Sequence, residues 1–405
     1  MNKEQLQSFI LAIIILVTTI LLIKYIAKNI SFKIIQDIEI NEPYINIKPT
    51  SSTYTHAKPC KYQINEAIKK IINKYNIKEA HNVSDASWSL YLPCDYNYID
   101  QEIEMIDTTN LSTDKKFFII NNCDELTSKS SIWTHLIQKY GLNGATKIMP
   151  KTYRLNEDID MFNHDFSGDK LYIMKKNIQR QEGLKITNDK QTILNGHKDG
   201  YIIVQDLLQN PYLIDGRKTN MRFYLLILTK NNELNAYVHK EGFMYYTKNK
   251  FVPGVLDPNV NITTGYIDRS VYDKNPLTLG DLRKHLDKQK NRLSLAEIQI
   301  LEEGNTISKE VFFRIYKMLA KVVEAVRYKL LAKNKLNDYL CFQIFGVDVA
   351  LSDTLEPQLM EVNKGPDLGS KDERDGEIKE KVITDIFKLV KIIPGDDYDF
   401  IPIVK

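Results

Sequence analysis

The chain has 405 residues, 26% of them charged, and a formal net charge of +3. That length holds two or three cores, and the near-balanced charge excludes the strongly basic field that many nucleic-acid-binding proteins carry, so no nucleic-acid partner is expected. Four cysteines (Cys60, Cys94, Cys123, Cys341) are widely separated. They lack the paired spacing of a zinc site or a disulfide framework, which implies unpaired thiols in a reducing compartment.

Gln5 to Ile23 carries no charge and is close to the roughly 20 residues that cross a bilayer as a helix. A cleaved signal peptide is the rival, but Lys24-Tyr-Ile-Ala-Lys-Asn-Ile supplies no cleavage site. Lys24, Lys28 and Lys33 follow the span, so the large C-terminal part would face the cytoplasm. The expectation is a single-pass membrane protein: an anchor over 1–30, then a linker over 31–59.

Further along, Ile64 to Tyr75 has apolar residues at helical spacing, whereas Ser87 to Pro93 alternates like a strand. Lys116–Ile120 reads as a strand and Ser131–Tyr140 as a helix that Gly141 would end. Strands alternating with helices predict an α/β unit over 60–147. A second unit, 148–209, contains the strand-like pieces Lys170–Lys176 and Gly200–Leu208, with a polar loop between them suited to a lid over phosphate. The third, 210–395, holds strand candidates Phe223–Leu228 and Leu234–Val238, a long amphipathic helix through Val311 to Leu330, and a last helix, Glu377–Leu389. Residues 396–405 are left as a tail.

Within the third unit, two apolar runs flank Ser352-Asp-Thr-Leu-Glu-Pro357 and read as a hairpin. Folding about that turn brings Asp348 opposite the neighbourhood of Glu361, with the register open by one residue. Asp348, Glu361 and the amide of Asn363 are hard oxygen ligands of the kind Mg²⁺ prefers beside phosphate. Lys175 ends one strand, while Lys218 and Arg222 begin another; lysine suits phosphate as a point charge. Gln205-Asp206-Leu-Leu208 closes a strand whose backbone could read an adenine edge. Singly, each has a plainer reading: a polar hairpin rim, solvated strand ends, an Arg222–Asp215 pair.

Taken together, these residues carry a resemblance. Val204-Gln-Asp-Leu-Leu-Gln-Asn-Pro-Tyr-Leu-Ile-Asp-Gly-Arg-Lys-Thr-Asn-Met-Arg222 and Phe342-Gln-Ile-Phe-Gly-Val-Asp348 through Glu361-Val-Asn363-Lys-Gly-Pro366 resemble the two signatures of the tubulin–tyrosine ligase family. Weaker echoes include Leu126-Thr-Ser-Lys129 and Tyr172-Ile-Met-Lys175. The resemblance implies an ATP-grasp fold of three α/β subdomains and an ATP-dependent ligase that joins glutamate, tyrosine or glycine to a protein, often an acidic tubulin tail, through an acyl phosphate. It implies Lys175, Gln205, Asp206, Leu208, Lys218 and Asn220 around ATP, and Arg222, Lys240 and Glu361 in catalysis or substrate selection. Asp348, Glu361 and Asn363 would hold Mg²⁺, as two ions.

Departures accompany the match. Asn220 stands where the family usually has an acid, Lys176 follows Lys175 where proline is common, and Asn261-Ile-Thr-Thr264 differs from the usual order. They motivate an alternative, a catalytically degenerate, membrane-tethered module that binds tubulin or another acidic partner.

Overall fold

Two strands form the spine: Arg217–Lys230 and Leu340–Leu351 pair antiparallel from Met221↔Val349 to Thr229↔Cys341. The computed structural model describes residues 45, 47–48, 53–57, 60, 64–80, 87–178, 183–288 and 306–405, which fall in one unit, Ile45–Lys405. Around the spine lies a sheet of twelve strands, and Thr152–Arg154, Ile203–Asp206, Tyr172–Lys175 and Leu184–Thr187 make a separate antiparallel sheet of four in that order. The mixed α/β class expected from the sequence is what the chain has.

The large sheet is covered on both faces, which is why its strands read as almost unbroken apolar runs. Phe223, Leu225, Ile227, Phe345, Val347 and Val349 pack into one core with the helices Lys129–Ala145 and Ile307–Leu330. The alternate residues Tyr224, Leu226, Leu228, Phe342 and Ile344 pack into a second core with Glu66–Lys74 and Glu373–Leu389. Helix Ile307–Leu330 starts where the Thr306 side chain caps the Lys309 N–H, and it buries Val311, Ile315, Met318, Val322 and Val326 as the periodicity predicts. Gly141, with φ of 67°, kinks the helix Lys129–Ala145, so a further turn follows where an end was expected. Among the strands that went unanticipated are Phe243–Thr247, and Phe400–Val404 within the supposed tail, which pairs with Glu233–His239.

No helix among the described residues is long and apolar enough to cross a membrane. The longest, Ile307–Leu330, keeps Lys309, Lys317 and Lys321 exposed. That finding overturns the single-pass membrane localisation and its cytoplasm-facing orientation; the segment 5–23 on which they rested lies outside the described residues. The cysteine reading is corrected too. Cys60 and Cys94, 34 residues apart in sequence, form a disulfide with Cα atoms 5.3 Å apart, while Cys123 and Cys341 are free and buried. Sequence spacing missed the pair because two adjacent parallel strands, Thr53–Thr55 and Leu90–Tyr91, and no local motif, bring it together.

Phe342 is fully buried and stacks on Phe118 at 4.7 Å between ring centroids, joining two neighbouring stretches of the sheet. Phe342→Ala is expected to destabilise the chain by about 3–5 kcal/mol, read as a lowered midpoint of denaturant unfolding followed by circular dichroism.

Candidate active site

The hairpin lies at one edge of a cavity of about 640 Å³. Its register is Asp348↔Glu361 and Gly346↔Asn363, with an irregularity between Asp348 and Val349. Val349 pairs with Leu359, so Met360 is the extra residue of a β-bulge. On the other side Arg222 lies directly opposite Asp348. Arg222, Asp348 and Glu361 therefore form a row across three strands on one face.

Chemistry holds that row together. The Arg222 guanidinium donates to Asp348 through Nε (2.6 Å) and Nη2 (2.9 Å), a bidentate pair with both side chains about nine-tenths buried. Burial pushes the Asp348 carboxyl up to about 6, against the pull of Arg222, and it stays ionised at neutral pH. Burial also pushes Glu361 upward, but Lys129 and Lys175 outweigh it and hold Glu361 below its ordinary value. Asn363 donates through Nδ2 to Glu361 at 3.1 Å. Gly346 leaves room for the guanidinium: a Cβ there would come within 3.2 Å of Arg222 Nη1.

The four-stranded sheet contributes Lys175, Gln205 and Asp206 to the same cavity. Lys175 ends its strand buried, donates to Gln205 Oε1 at 2.8 Å, and is lowered to about 8 by that burial. Gln205 in turn donates to Thr152 Oγ1. Asp206 is raised by burial, and its Oδ1 has no hydrogen-bond partner among the described residues. Lys218 donates to the Leu208 carbonyl (2.7 Å) and to Asn261 Oδ1 (2.9 Å), so that carbonyl is already engaged. Burial lowers the Lys218 ammonium to about 7.

Ten sequence-predicted residues thus line one cavity: Lys175, Gln205, Asp206, Leu208, Lys218, Asn220, Arg222, Asp348, Glu361 and Asn363. Lys240 is not brought there. It is half exposed and pairs with Asp399 at 3.1 Å. Sequence reasoning gave no role to Lys129, Tyr245 or Lys371, all of which line the cavity. Lys129 Nζ stands 4.0 Å from Glu361 Oε2, and Arg222 lies over the Tyr245 ring at 5.1 Å. A signal for Lys129 was its place at the end of the echo Leu126-Thr-Ser-Lys129; the structure sets it in the first turn of a helix, where the macrodipole disfavours a cation.

The cavity thus gathers buried lysines and hard oxygen donors, groups whose chemistry suits a polyanion and a divalent cation. Residues 107–399 match the model of the tubulin–tyrosine ligase family, and the chain belongs to that family. Among curated relatives it is 24% identical to a probable tubulin polyglutamylase, ttll-9, of Caenorhabditis elegans over 309 residues, covering 70% of this chain and 67% of the relative. It is 25% identical to a probable beta-tubulin polyglutamylase of Tetrahymena thermophila, covering 60% of this chain and 21% of that protein. The mouse tubulin polyglutamylase TTLL5 is also 25% identical, over 67% of this chain and 21% of its own length.

Removing one member of a buried ion pair leaves the other charge uncompensated. Asp348→Asn is expected to lose about 3–5 kcal/mol of stability, whereas Lys240→Ala, at an exposed pair, loses at most about 1 kcal/mol. Parallel urea titrations of the two variants check the contrast.

Proposed function

We propose that the chain is an ATP- and Mg²⁺-dependent ligase with an ATP-grasp fold, joining an amino acid to a carboxyl group of a protein. Glutamate is the amino acid and an acidic tubulin tail the acceptor that the names of its relatives favour. The observation that carries this reading is the single cavity in which Lys175, Lys218 and Arg222 face Asp348, Glu361 and Asn363. The division into subdomains 60–147, 148–209 and 210–395 belongs to the same proposal.

A carboxylate is a poor acyl donor because oxide is a poor leaving group. In the proposed reaction an acceptor carboxylate oxygen attacks the γ-phosphorus of ATP and ADP leaves. The amine of the incoming amino acid then attacks the acyl carbon of the acyl phosphate, and phosphate leaves as the amide forms. Rate comes from positioning and charge neutralisation, with no nucleophilic side chain needed. Lys175 and Lys218 would offset phosphate charge. Arg222 would fix Asp348 and present its guanidinium beside Gly346. The unpartnered Asp206 Oδ1 is an acceptor suited to an exocyclic amine of the base.

The donor set fits Mg²⁺: two ionised carboxylates and an amide side by side on one face of the hairpin. Asp348, Glu361 and Asn363 would hold the ion, which supplies charge neutralisation on the phosphates. Asn220, where the family usually has an acid, keeps an acceptor oxygen on the cavity wall.

Full chain with ATP, Mg²⁺, glutamate and a tubulin-tail peptide should release ADP and yield a peptide heavier by one glutamyl residue in mass spectrometry. Glu361→Gln should abolish both while leaving circular dichroism unchanged; full turnover in that variant would sink the metal assignment. Absence of ADP release with any amino acid would favour the non-catalytic module.

Lys218 gives a pH dependence. Its ammonium is protonated below about 7 and is lost as pH rises through that value, and only the charged form attracts phosphate. Wild-type affinity for Mg-ATP should fall about tenfold from pH 6 to 8, following the charged fraction. Lys218→Met should bind more weakly and lack this component, as measured by displacement of a fluorescent nucleotide.

A further inference from the structure

Away from the cavity, three adjacent parallel strands end beside one another. Thr53–Thr55 lies between Lys78–Glu79 and Leu90–Tyr91, in the registers Tyr54↔Glu79 and Thr55↔Tyr91. His56 follows the first strand, Glu79 closes the second and Cys94 comes just after the third. The carboxyl ends of parallel strands are where α/β sheets place ligands. One ligand atom each from His56, Cys60 and Cys94 lies within 4.8 Å of the others.

The geometry has the parts of a metal site. His56 Nδ1 faces the sulfur, 3.9 Å from Cys94 Sγ. Nε2 faces the other way, 3.3 Å from Glu79 Oε1. A carboxylate behind the distal ring nitrogen is what orients a metal-ligating histidine and sets its tautomer. Cys94 is held in place because its N–H donates to both oxygens of the buried Glu102, at 3.0 and 3.1 Å.

We propose that this cluster, with its disulfide reduced, is a zinc site: Cys60 and Cys94 bind as thiolates, His56 through Nδ1, and Glu79 accepts from Nε2–H. Two sulfurs and an imidazole suit zinc and not magnesium, and three protein donors leave the fourth tetrahedral position to solvent. A dithiol delivers two electrons and two protons to the Cys60–Cys94 bond and closes as its own disulfide. Zinc then displaces the two thiol protons. The imidazole gives up its 2.9 Å contact with the Ala57 carbonyl and carries its proton on Nε2. Oxidised, the same sulfurs bond to each other and hold no metal. This inference does not rest on the ligase reading.

Full chain reduced with a water-soluble phosphine, then moved to metal-free, oxygen-free buffer, is titrated with Co²⁺. The expected result is one equivalent bound with thiolate-to-cobalt charge-transfer absorption and intense tetrahedral d–d bands, bleached by Zn²⁺ and missing from the unreduced chain. Glu79→Gln should weaken cobalt binding about tenfold, and His56→Gln at least as much; both keep the cysteines, so disulfide and fold are verifiable before reduction. Cys123→Ser should bind as wild type. A reduced wild-type chain without the charge-transfer band would overturn the proposal, as would a Cys60→Ser, Cys94→Ser double variant that retains it.

Discussion

The site depends on one extra residue in one strand. Before the bulge Val349 pairs with Leu359, and after it Asp348 pairs with Glu361. Without Met360 as the inserted residue, Asp348 would oppose position 360. Glu361 and Asn363 would then point with Val347 into the apolar core that Leu359 and Val362 occupy. A shift of one residue exchanges the faces of a strand, and the bulge uses that rule locally. It lets the hairpin bury Leu359 and Val362 on one side while turning both polar residues toward Arg222 and the cavity.

The same face carries an apolar core further along. Arg222 shares its side of the strand with Tyr224, Leu226 and Leu228, and Asp348 shares its side with Ile344 and Phe342. Charged groups at the end of a buried apolar face lose much of their hydration. An arginine and a carboxylate can remain there because each satisfies the other through two hydrogen bonds. The lysines have less compensation. Lys175 and Lys218 bond to an amide oxygen, a carbonyl and an asparagine, all uncharged, and burial lowers both. Their charged forms are thus poorly solvated by the protein alone, and a bound polyanion would relieve that deficit.

Much of this was legible in the sequence, for identifiable reasons. The long helix declared itself by period and the hairpin by its polar turn ending in Pro357. The two signature stretches held nine of the predicted residues that line the cavity, and the echo ending in Lys175 supplied the tenth. What could not be read depended on contacts between distant segments. The bulge was hidden because Leu359-Met-Glu361 alternates plausibly in either register. Lys129 stood in a weak echo, two residues before the expected helix, with nothing local to join it to Glu361. Lys240 was assigned by motif position alone, yet its backbone N–H bonds to Asp399 and its ammonium pairs with the same residue. The disulfide escaped for a similar reason: neither cysteine has a local pattern, and strand order alone joins them.

Glu361 shows how far such contacts reach. Its burial alone would favour the protonated form, which is a poor metal ligand. Lys129 and Lys175 reverse that balance, one from the helix Lys129–Ala145 and one from the four-stranded sheet. The influence is mutual, since Glu361 and Asp348 raise Lys175 against its desolvation. The carboxylates and the lysines of the cavity therefore set each other's charge state. The hairpin adds its own part, since the hydrogen bond from Asn363 also lowers Glu361. The ionisation that would let Glu361 bind a cation is a property of three separate chain segments folded around one cavity.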